Sequence, residues 1–326
     1  MEIYLVSGAA GFIASRVIDY LLQEGHSVIG VDNMNDAYDV RMKEYRLRKL
    51  MQHPNFTFLR SDITQRVLFE SRSPLKEHKY SAVIHLAARA GVRQSVENPW
   101  VYADTNITGT LNLLEFCREQ NIPKFILAST SSVYGKDAPL PTPETYSSNL
   151  PLQVYAATKI SAEVLCHVYH YLYGLDVTIF RYFTVYGPAP RPDMVMFRFT
   201  QWISEGQTVR VNGDGEQSRG FTYLDDIARG TILGLKPLGY EIINLGGHEV
   251  IKINDLIHLF ERRTGQKASI EYRPPHPADM TTNWANIEKA RLVLGWVPKI
   301  GLDEGVKHLV NWYNQERAWA KEILTP

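Results

Sequence analysis

The sequence predicts an α/β fold, a doubly wound parallel sheet with a smaller C-terminal α/β lobe, and three observations carry that reading. Short apolar or β-branched runs alternate with longer helical patterns, a glycine-spaced turn follows the first run, and an aspartate closes the second. The runs are Ile3 to Val6, Ser27 to Val31, Phe56 to Leu59, Ala82 to Leu86, Phe125 to Ala128 and Val177 to Arg181. Their alternation with helices implies crossover connections on both faces of one sheet. Beyond about residue 181 the texture changes: Pro188, Pro190 and Pro192 cluster in a loop, and short helices and turns such as Asn212-Gly213-Asp214-Gly215 are expected. Ile242-Ile243-Asn244-Leu245 before Gly246-Gly247 reads as one more strand, so the chain is expected to revisit the first unit. The division that follows is residues 1–181 for the first domain, with a return near 220–248, and 182–326 mainly for the second.

Bulk properties bound what such a chain can do. Its 326 residues, 44 % of them hydrophobic, supply a sizeable core and exclude a disordered or fibrous protein. With 35 basic and 35 acidic residues the formal charge is zero, so the total predicts no steering towards nucleic acid or an acidic membrane. Cys117 and Cys166 are too few for a disulfide scaffold and lack metal-ligand spacing. No metal is therefore expected, and a reducing, cytoplasmic setting is. The chain enters an apolar strand at Ile3 without a charged leader, and no apolar run is long enough to span a bilayer, so no membrane association is expected.

The glycine turn gives the first chemistry. Gly8-Ala9-Ala10-Gly11-Phe12-Ile13-Ala14 has GxxGxxA spacing and leads into the helical pattern Val17, Ile18, Leu21, Leu22. Glycine is needed where the backbone turns sharply and passes close to a pyrophosphate, and the helix start offers that anion free N–H groups. Ala14 holds the third place, which concerns helix packing and tolerates one methyl group. Asp32, 24 residues after Gly8, stands where a carboxylate accepts both ribose hydroxyls of a dinucleotide. It would repel a 2′-phosphate, and no basic residue follows in Asn33-Met34-Asn35, so NAD is the expected cofactor in a Rossmann-type domain. Asp62 and Ile63 after the third strand suit the adenine or an ordinary turn; Ala87, Ala88 and Ala90 suit a close cofactor approach or tight packing. One basic stretch carries Arg41, Lys43, Arg46, Arg48 and Lys49 against Glu44. Without an aromatic platform it reads as a solvated helix face, or as support for the adenosine end of the cofactor, rather than a nucleic-acid surface.

Tyr155-Ala156-Ala157-Thr158-Lys159 is the central chemical signal. It lies in a helical pattern that begins after Pro151 and runs to Tyr173 before Gly174, which puts Tyr155 and Lys159 on one face. A phenol with an ordinary pKa of about 10 must ionise near neutral pH to act as a base, which requires about 3–4 kcal/mol. A lysine ammonium at about 4 Å contributes on the order of 4 kcal/mol at an effective dielectric near 20, and an oxidised nicotinamide adds a second positive charge. Lys159 is also expected to hold the nicotinamide ribose.

Taken together, the GxxGxxA turn, Asp32, the segment Ala128-Ser129-Thr130-Ser131-Ser132-Val133-Tyr134-Gly135 and YxxxK resemble the extended short-chain dehydrogenases/reductases. The resemblance is to the NAD-dependent epimerase/dehydratase group that acts on nucleotide sugars, and it spans nearly the whole chain. It implies that Thr130 binds the sugar 4-oxygen, Tyr155 takes its proton and hydride leaves C4 for NAD. Relatives that eliminate water carry Asp-Glu after the Thr130 position, and those that decarboxylate carry a glutamate at the second place; this chain has Ser131-Ser132. Removal and return of hydride needs no second acid/base carboxylate.

Arg181-Tyr182-Phe183-Thr184-Val185-Tyr186-Gly187-Pro188 continuing to Arg191-Pro192-Asp193-Met194, Asp32 to Asp36 with Asp39-Val40-Arg41, and Gly91-Val92-Arg93 are most similar to the UDP-glucuronate 4-epimerases. That likeness implies a uronate carboxylate held by Thr130, Ser131, Ser132, Thr184 and Arg191, with the carboxylate fixed away from the geometry in which a β-keto acid loses carbon dioxide. It also implies that Arg219 meets the diphosphate, that Val209 and Val211 lie near the uracil, and that Arg93 and Asp279 lie on the substrate side. His276-Pro277-Ala278-Asp279 departs from the Arg-Pro-Gly-Asp of many relatives, which puts diphosphate affinity in question; Arg93 or Arg273 could compensate. Epimerisation of a neutral or N-acetylated UDP-hexose, decarboxylation, and a silent NAD-binding scaffold remain the alternatives. A homodimer is implied, through the helices after Asn98 and around Tyr155.

Overall fold

The protein, a computed structural model, is described over residues 1–147, 149–274 and 282–325. All seven strands expected of the main sheet form: β1 (Ile3–Ser7), β2 (Ser27–Asp32), β3 (Phe56–Arg60), β4 (Ala82–His85), β5 (Lys124–Thr130), β6 (Asp176–Tyr182) and, after β7 (Thr184–Tyr186), β8 (Thr208–Asn212) and β9 (Ser218–Tyr223) of the second lobe, β10 (Tyr240–Leu245). Their order is β10-β6-β5-β4-β1-β2-β3, and every pair is parallel. The β1 neighbours β2 on one side and β4 on the other, so connections leave in opposite directions there. A crevice opens at the carboxyl ends of those two strands, where ligands bind in sheets of this kind.

Both faces are sealed by helices. On one, Val17, Ile18 and Leu21 of the helix Phe12–Gln23 pack with Val6, Ile84, Ile126, Phe180 and Ile243 of the sheet. On the other, Leu113, Leu114 and Cys117 of Gly109–Gln120 and Ala162 and Cys166 of Val154–Tyr173 meet Leu5, Val83, Leu127 and Ile179. Every residue of β5 is buried, so Thr130 at its end is held by strand pairing on both sides. The helix Val154–Tyr173 closes on Gly174 in the left-handed region, φ +67°, where a Cβ would be strained.

The second lobe carries β7, β9, β11 (Glu249–Lys252) and β13 (Thr282–Asn283) in one small sheet, and β8 with β12 (Ser269–Arg273) as a parallel pair. Its helices are longer than expected: Ile253–Thr264 has 12 residues and Leu302–Ala320 has 19. The cause is visible in Ile253, Leu256, Ile257 and Phe260, which recur at helical spacing and are buried against Phe197, Trp312 and Tyr313. Among the described residues no helix is long and apolar enough to cross a membrane.

Candidate active site

A cleft of about 610 Å³ runs across the crevice and is walled by both lobes. At one end lies the glycine turn. Gly8 has φ +76°, and a Cβ there would stand 2.7 Å from the Ala87 nitrogen. Glycine is thus imposed by the loop after β4 as well as by the turn itself, and Ala87 is the residue that passes close. Gly11 caps the helix Phe12–Gln23 without any side-chain hydrogen bond, which leaves the first N–H groups of that helix directed at the cleft. Ala14 is buried in the helix–sheet contact.

Asp32 is fixed before any ligand arrives: its Oδ2 accepts from the Ala10 N–H at 3.2 Å and its Oδ1 from the Met34 N–H at 2.8 Å. Lys43, from the basic stretch, lies 3.6 Å from Oδ1 with both side chains almost fully buried. Burial pushes the Asp62 carboxyl up, but the Thr64 N–H and the Asn33 amide at 2.8 Å outweigh it and hold it below the usual range. Ile63 packs where a Cβ on Gly109 would meet it at 2.6 Å. A close-approach glycine, open helix N–H groups and an oriented carboxylate fit a dinucleotide.

The reacting end is built from the β5 terminus and the helix Val154–Tyr173. The Lys159 ammonium is buried and donates to the Ala128 carbonyl at 2.8 Å; burial pushes its pKa down to about 8, with Glu163 opposing. Burial raises the Tyr155 phenol, opposed by its hydrogen bond with Thr130 and by the Arg191 guanidinium. The sequence assigned the acidifying charge to Lys159. In the folded chain the Arg191 guanidinium adds a further charge that favours the phenolate, and Lys159, hydrogen-bonded to the β5 backbone, lines the same cleft. Thr130 Oγ1 also accepts from the Ser132 N–H at 3.2 Å.

Behind this pair sits a buried charge cluster. Arg181 donates from Nε to Glu163 Oε1 at 3.0 Å and from Nη2 to Oε2 at 2.7 Å, and the Ser129 hydroxyl shares Oε1. Deeper still, His85 bridges the Ser7 hydroxyl at 2.7 Å and the Thr110 hydroxyl at 3.0 Å; burial, then the Lys159 charge, pushes its pKa down to about 3. Asn106, in a π-helical turn at Asp104–Thr108, donates to the Arg89 carbonyl and the Thr158 hydroxyl, tying the loop after β4 to the helix of Tyr155.

Ser131, Ser132, Thr184, Arg93, Arg191 and Arg219 all line the same cleft as Gly8, Gly11, Phe12, Ile13, Asp32, Asp62, Ile63, Ala87, Thr130, Tyr155 and Lys159. Arg191 forms a two-point pair with Asp193, 3.0 Å from Nε to Oδ1 and 2.5 Å from Nη2 to Oδ2. Val209 is not brought to the cleft: it and Val211 face the core of the second lobe, because alternate β8 residues point inward. Asp279 and His276 lie outside the described residues. The wall also includes Tyr102, Gln153, Arg198 and Asn283, none of which sequence reasoning singled out. Asn283 donates to the Ser131 hydroxyl at 3.0 Å across more than 150 positions of chain, a juxtaposition that no local spacing encodes.

Known proteins resemble the chain over nearly its full length. The NAD dependent epimerase/dehydratase family matches residues 4–246. A UDP-glucuronate 4-epimerase of Thermodesulfobacterium geofontis is 54 % identical over 325 residues, 99 % of each chain. The crystal structure of UDP-glucuronic acid 4-epimerase from Bacillus cereus with UDP-glucuronic acid and NAD superposes with a TM-score of 0.89 at 36 % identity, covering 96 % of this chain and 99 % of that one. UDP-glucose 4-epimerase of Thermotoga maritima, solved with UDP-glucose, superposes equally well, 0.89, at 34 % identity, covering 97 % and 99 %.

Proposed function

The chain belongs to the NAD dependent epimerase/dehydratase family, and from that footing we propose the roles its own residues play in C4 epimerisation of UDP-glucuronate. The single observation that carries the reading is that the hydroxyls of Thr130, Ser131, Ser132 and Thr184 line one cleft with Arg191, Tyr155 and Lys159. Two serines stand where an eliminating or decarboxylating enzyme needs a carboxylate.

Gly8, Gly11 and the helix start hold the pyrophosphate of NAD, Phe12 and Ile13 flank it, Asp32 takes the adenosine ribose, and Asp62 and Ile63 border the adenine. Lys159 takes the nicotinamide ribose. NAD held by these residues would supply the hydride acceptor and donor for C4 and, when oxidised, a positive charge that favours the phenolate. Thr130 orients the 4-oxygen and Tyr155 removes its proton, with Arg191 favouring the phenolate. The 4-keto sugar is then turned, and Tyr155 gives the proton back. Thr184, Ser131, Ser132 and Arg191 restrain the uronate carboxylate, while Arg219 and Arg93 serve the diphosphate side.

Residues 1–181 with the return near 220–248 act as the cofactor domain, and 182–326 mainly as the sugar-nucleotide domain. A homodimer fits the exposed apolar face of the helix Val154–Tyr173, where Val164, Leu172 and Tyr171 stand 57 %, 58 % and 79 % exposed, with Trp100 nearby in sequence to Asn98 at 77 %. Free, buried Cys117 and Cys166 suit a cytoplasmic setting. Incubation with UDP-glucuronate, read by NMR, should yield UDP-galacturonate. Brisk turnover of UDP-glucose with none of UDP-glucuronate would overturn the assignment.

A further inference from the structure

In the basic stretch from Arg41 to Lys49, Lys43 reaches Asp32 at the cofactor end, and the members outside that contact divide sharply. Arg41 pairs with Asp39 and Glu322, and Lys49 with Asp19, as surface charges do. Arg46 turns inward and is only 6 % exposed. Its Nε donates to the Ala189 carbonyl at 2.9 Å and its Nη2 to the Pro190 carbonyl at 3.1 Å. Its Nη1 donates to the Ala10 carbonyl at 3.1 Å and to the Tyr38 hydroxyl at 2.8 Å. The Phe12 and Tyr38 rings lie 5.7 Å and 5.6 Å from the guanidinium carbon.

These acceptors come from segments far apart in sequence. Ala10 belongs to the turn that takes the pyrophosphate, whereas Ala189 and Pro190 are the two residues before Arg191. That second segment has little means of keeping its own shape: Ala189 sits at φ +53° and Gly187 at φ +151°, and both are outside regular structure. A planar fork with five N–H groups suits several carbonyls at once; a lysine ammonium has neither the span nor the plane. Arg191 in turn is fixed to Asp193, and its charge is felt by Tyr155.

We propose that Arg46 is a positioning residue, a clamp that ties the cofactor turn to the segment presenting Arg191, so that the sugar side of the cleft is assembled on the cofactor side. The role rests on the epimerase reading. Its consequence is that Arg46 and Arg191 act as one unit: losing the clamp costs what Arg191 contributes, and little more.

The test is a double-mutant cycle on the full chain with NAD at saturation, comparing Arg46→Met, Arg191→Met and the two combined. Read by kcat and KM for UDP-glucuronate, Arg46→Met should lower kcat/KM roughly ten- to hundredfold, as displacement of a reacting contact does. The combined variant should lie within about twofold of Arg191→Met alone, the signature of coupled sites. Losses that multiply, or an Arg46→Met chain within about twofold of wild type, would overturn the clamp. Should Arg46→Met fail to fold, Arg46→Lys keeps the charge and part of the bonding. Its smaller loss must likewise vanish in the Arg191→Met background, and persistence there overturns the proposal too. Wild-type turnover of UDP-glucuronate tests the epimerase reading separately; if the chain acts on UDP-glucose instead, the same coupling must appear with that substrate.

Discussion

Replacing Glu163 with glutamine removes one charge from the buried cluster behind the reacting pair while preserving side-chain shape. Glu163 is 4 % exposed, accepts two hydrogen bonds from Arg181 at 3.0 Å and 2.7 Å, and faces Lys159 one helical turn away on its own helix. Tyr134 lies under the Arg181 guanidinium at 4.7 Å, and Tyr240 and Cys166 complete the ionisable surroundings. The substitution leaves the arginine buried without its counter-charge, a loss of about 3–5 kcal/mol. At about 2.1 cal/mol/K per residue, 326 residues unfold with an entropy of about 0.7 kcal/mol/K. The thermal midpoint should therefore fall by about 4–7 °C. Lys159 responds as well. Burial holds its pKa at about 8 and Glu163 is the main influence holding it from falling further. An amine with a depressed pKa is charged below that value and loses its proton as pH rises through it. Without Glu163 the proton is lost at lower pH, so the alkaline limb of kcat/KM should move downward. Differential scanning calorimetry and a pH–rate profile between 6 and 10 read the two effects. An unchanged midpoint with the limb in its wild-type place would refute the reasoning.

Tyr155→Phe should lower kcat by roughly 10²–10⁴-fold while NAD stays bound, measured by turnover and by the 260/280 nm absorbance ratio. Gly8→Ala forces a methyl group to within 2.7 Å of the Ala87 backbone in a left-handed turn, and the purified chain should lose its NAD and several °C of thermal midpoint. His85 is neutral in the folded state down to about pH 3, whereas an unfolded histidine takes up a proton below its ordinary 6.5. Its stabilisation is whole above 6.5 and erodes as pH falls, by about 2 kcal/mol at pH 5; urea titrations of a His85→Gln chain should lack that increment. Asn283→Ala frees the Ser131 hydroxyl, and KM for UDP-glucuronate should rise about three- to tenfold with kcat less affected.

The sheet was legible because each of its strands is a local signal: a short apolar run bounded by breakers, and even the late return at Tyr240–Leu245 announced itself through Ile242, Ile243 and Gly246. The cofactor end was legible for the same reason, since Gly8, Gly11 and Asp32 act through spacing along two adjacent strands. Partnerships across the fold were not. Nothing local told that the Lys159 ammonium would donate to the Ala128 carbonyl, or that the distant Arg191 would add its charge beside Tyr155. Val209 carried no sign of its direction until β8 had a partner to fix which face turned inward. Arg46 and Arg41 look alike in sequence, and only packing separates the one sunk among carbonyls from the one left in water.

The placement of Tyr240–Leu245 at the margin of the large sheet has a consequence for anyone who would cut this protein in two. Its register runs beside β6 from Val177 to Tyr182, and Asn244 joins the Thr142 carbonyl to the Tyr134 hydroxyl from within it. A fragment stopped after residue 181 would strip β6 of its outer neighbour and bare a row of unpaired N–H and C=O groups ready to pair with another copy. Residues 1–181 are therefore not excisable as a free-standing module. A split or fused version should keep the chain continuous to Leu245 and place its break in the surface loops of the second lobe instead.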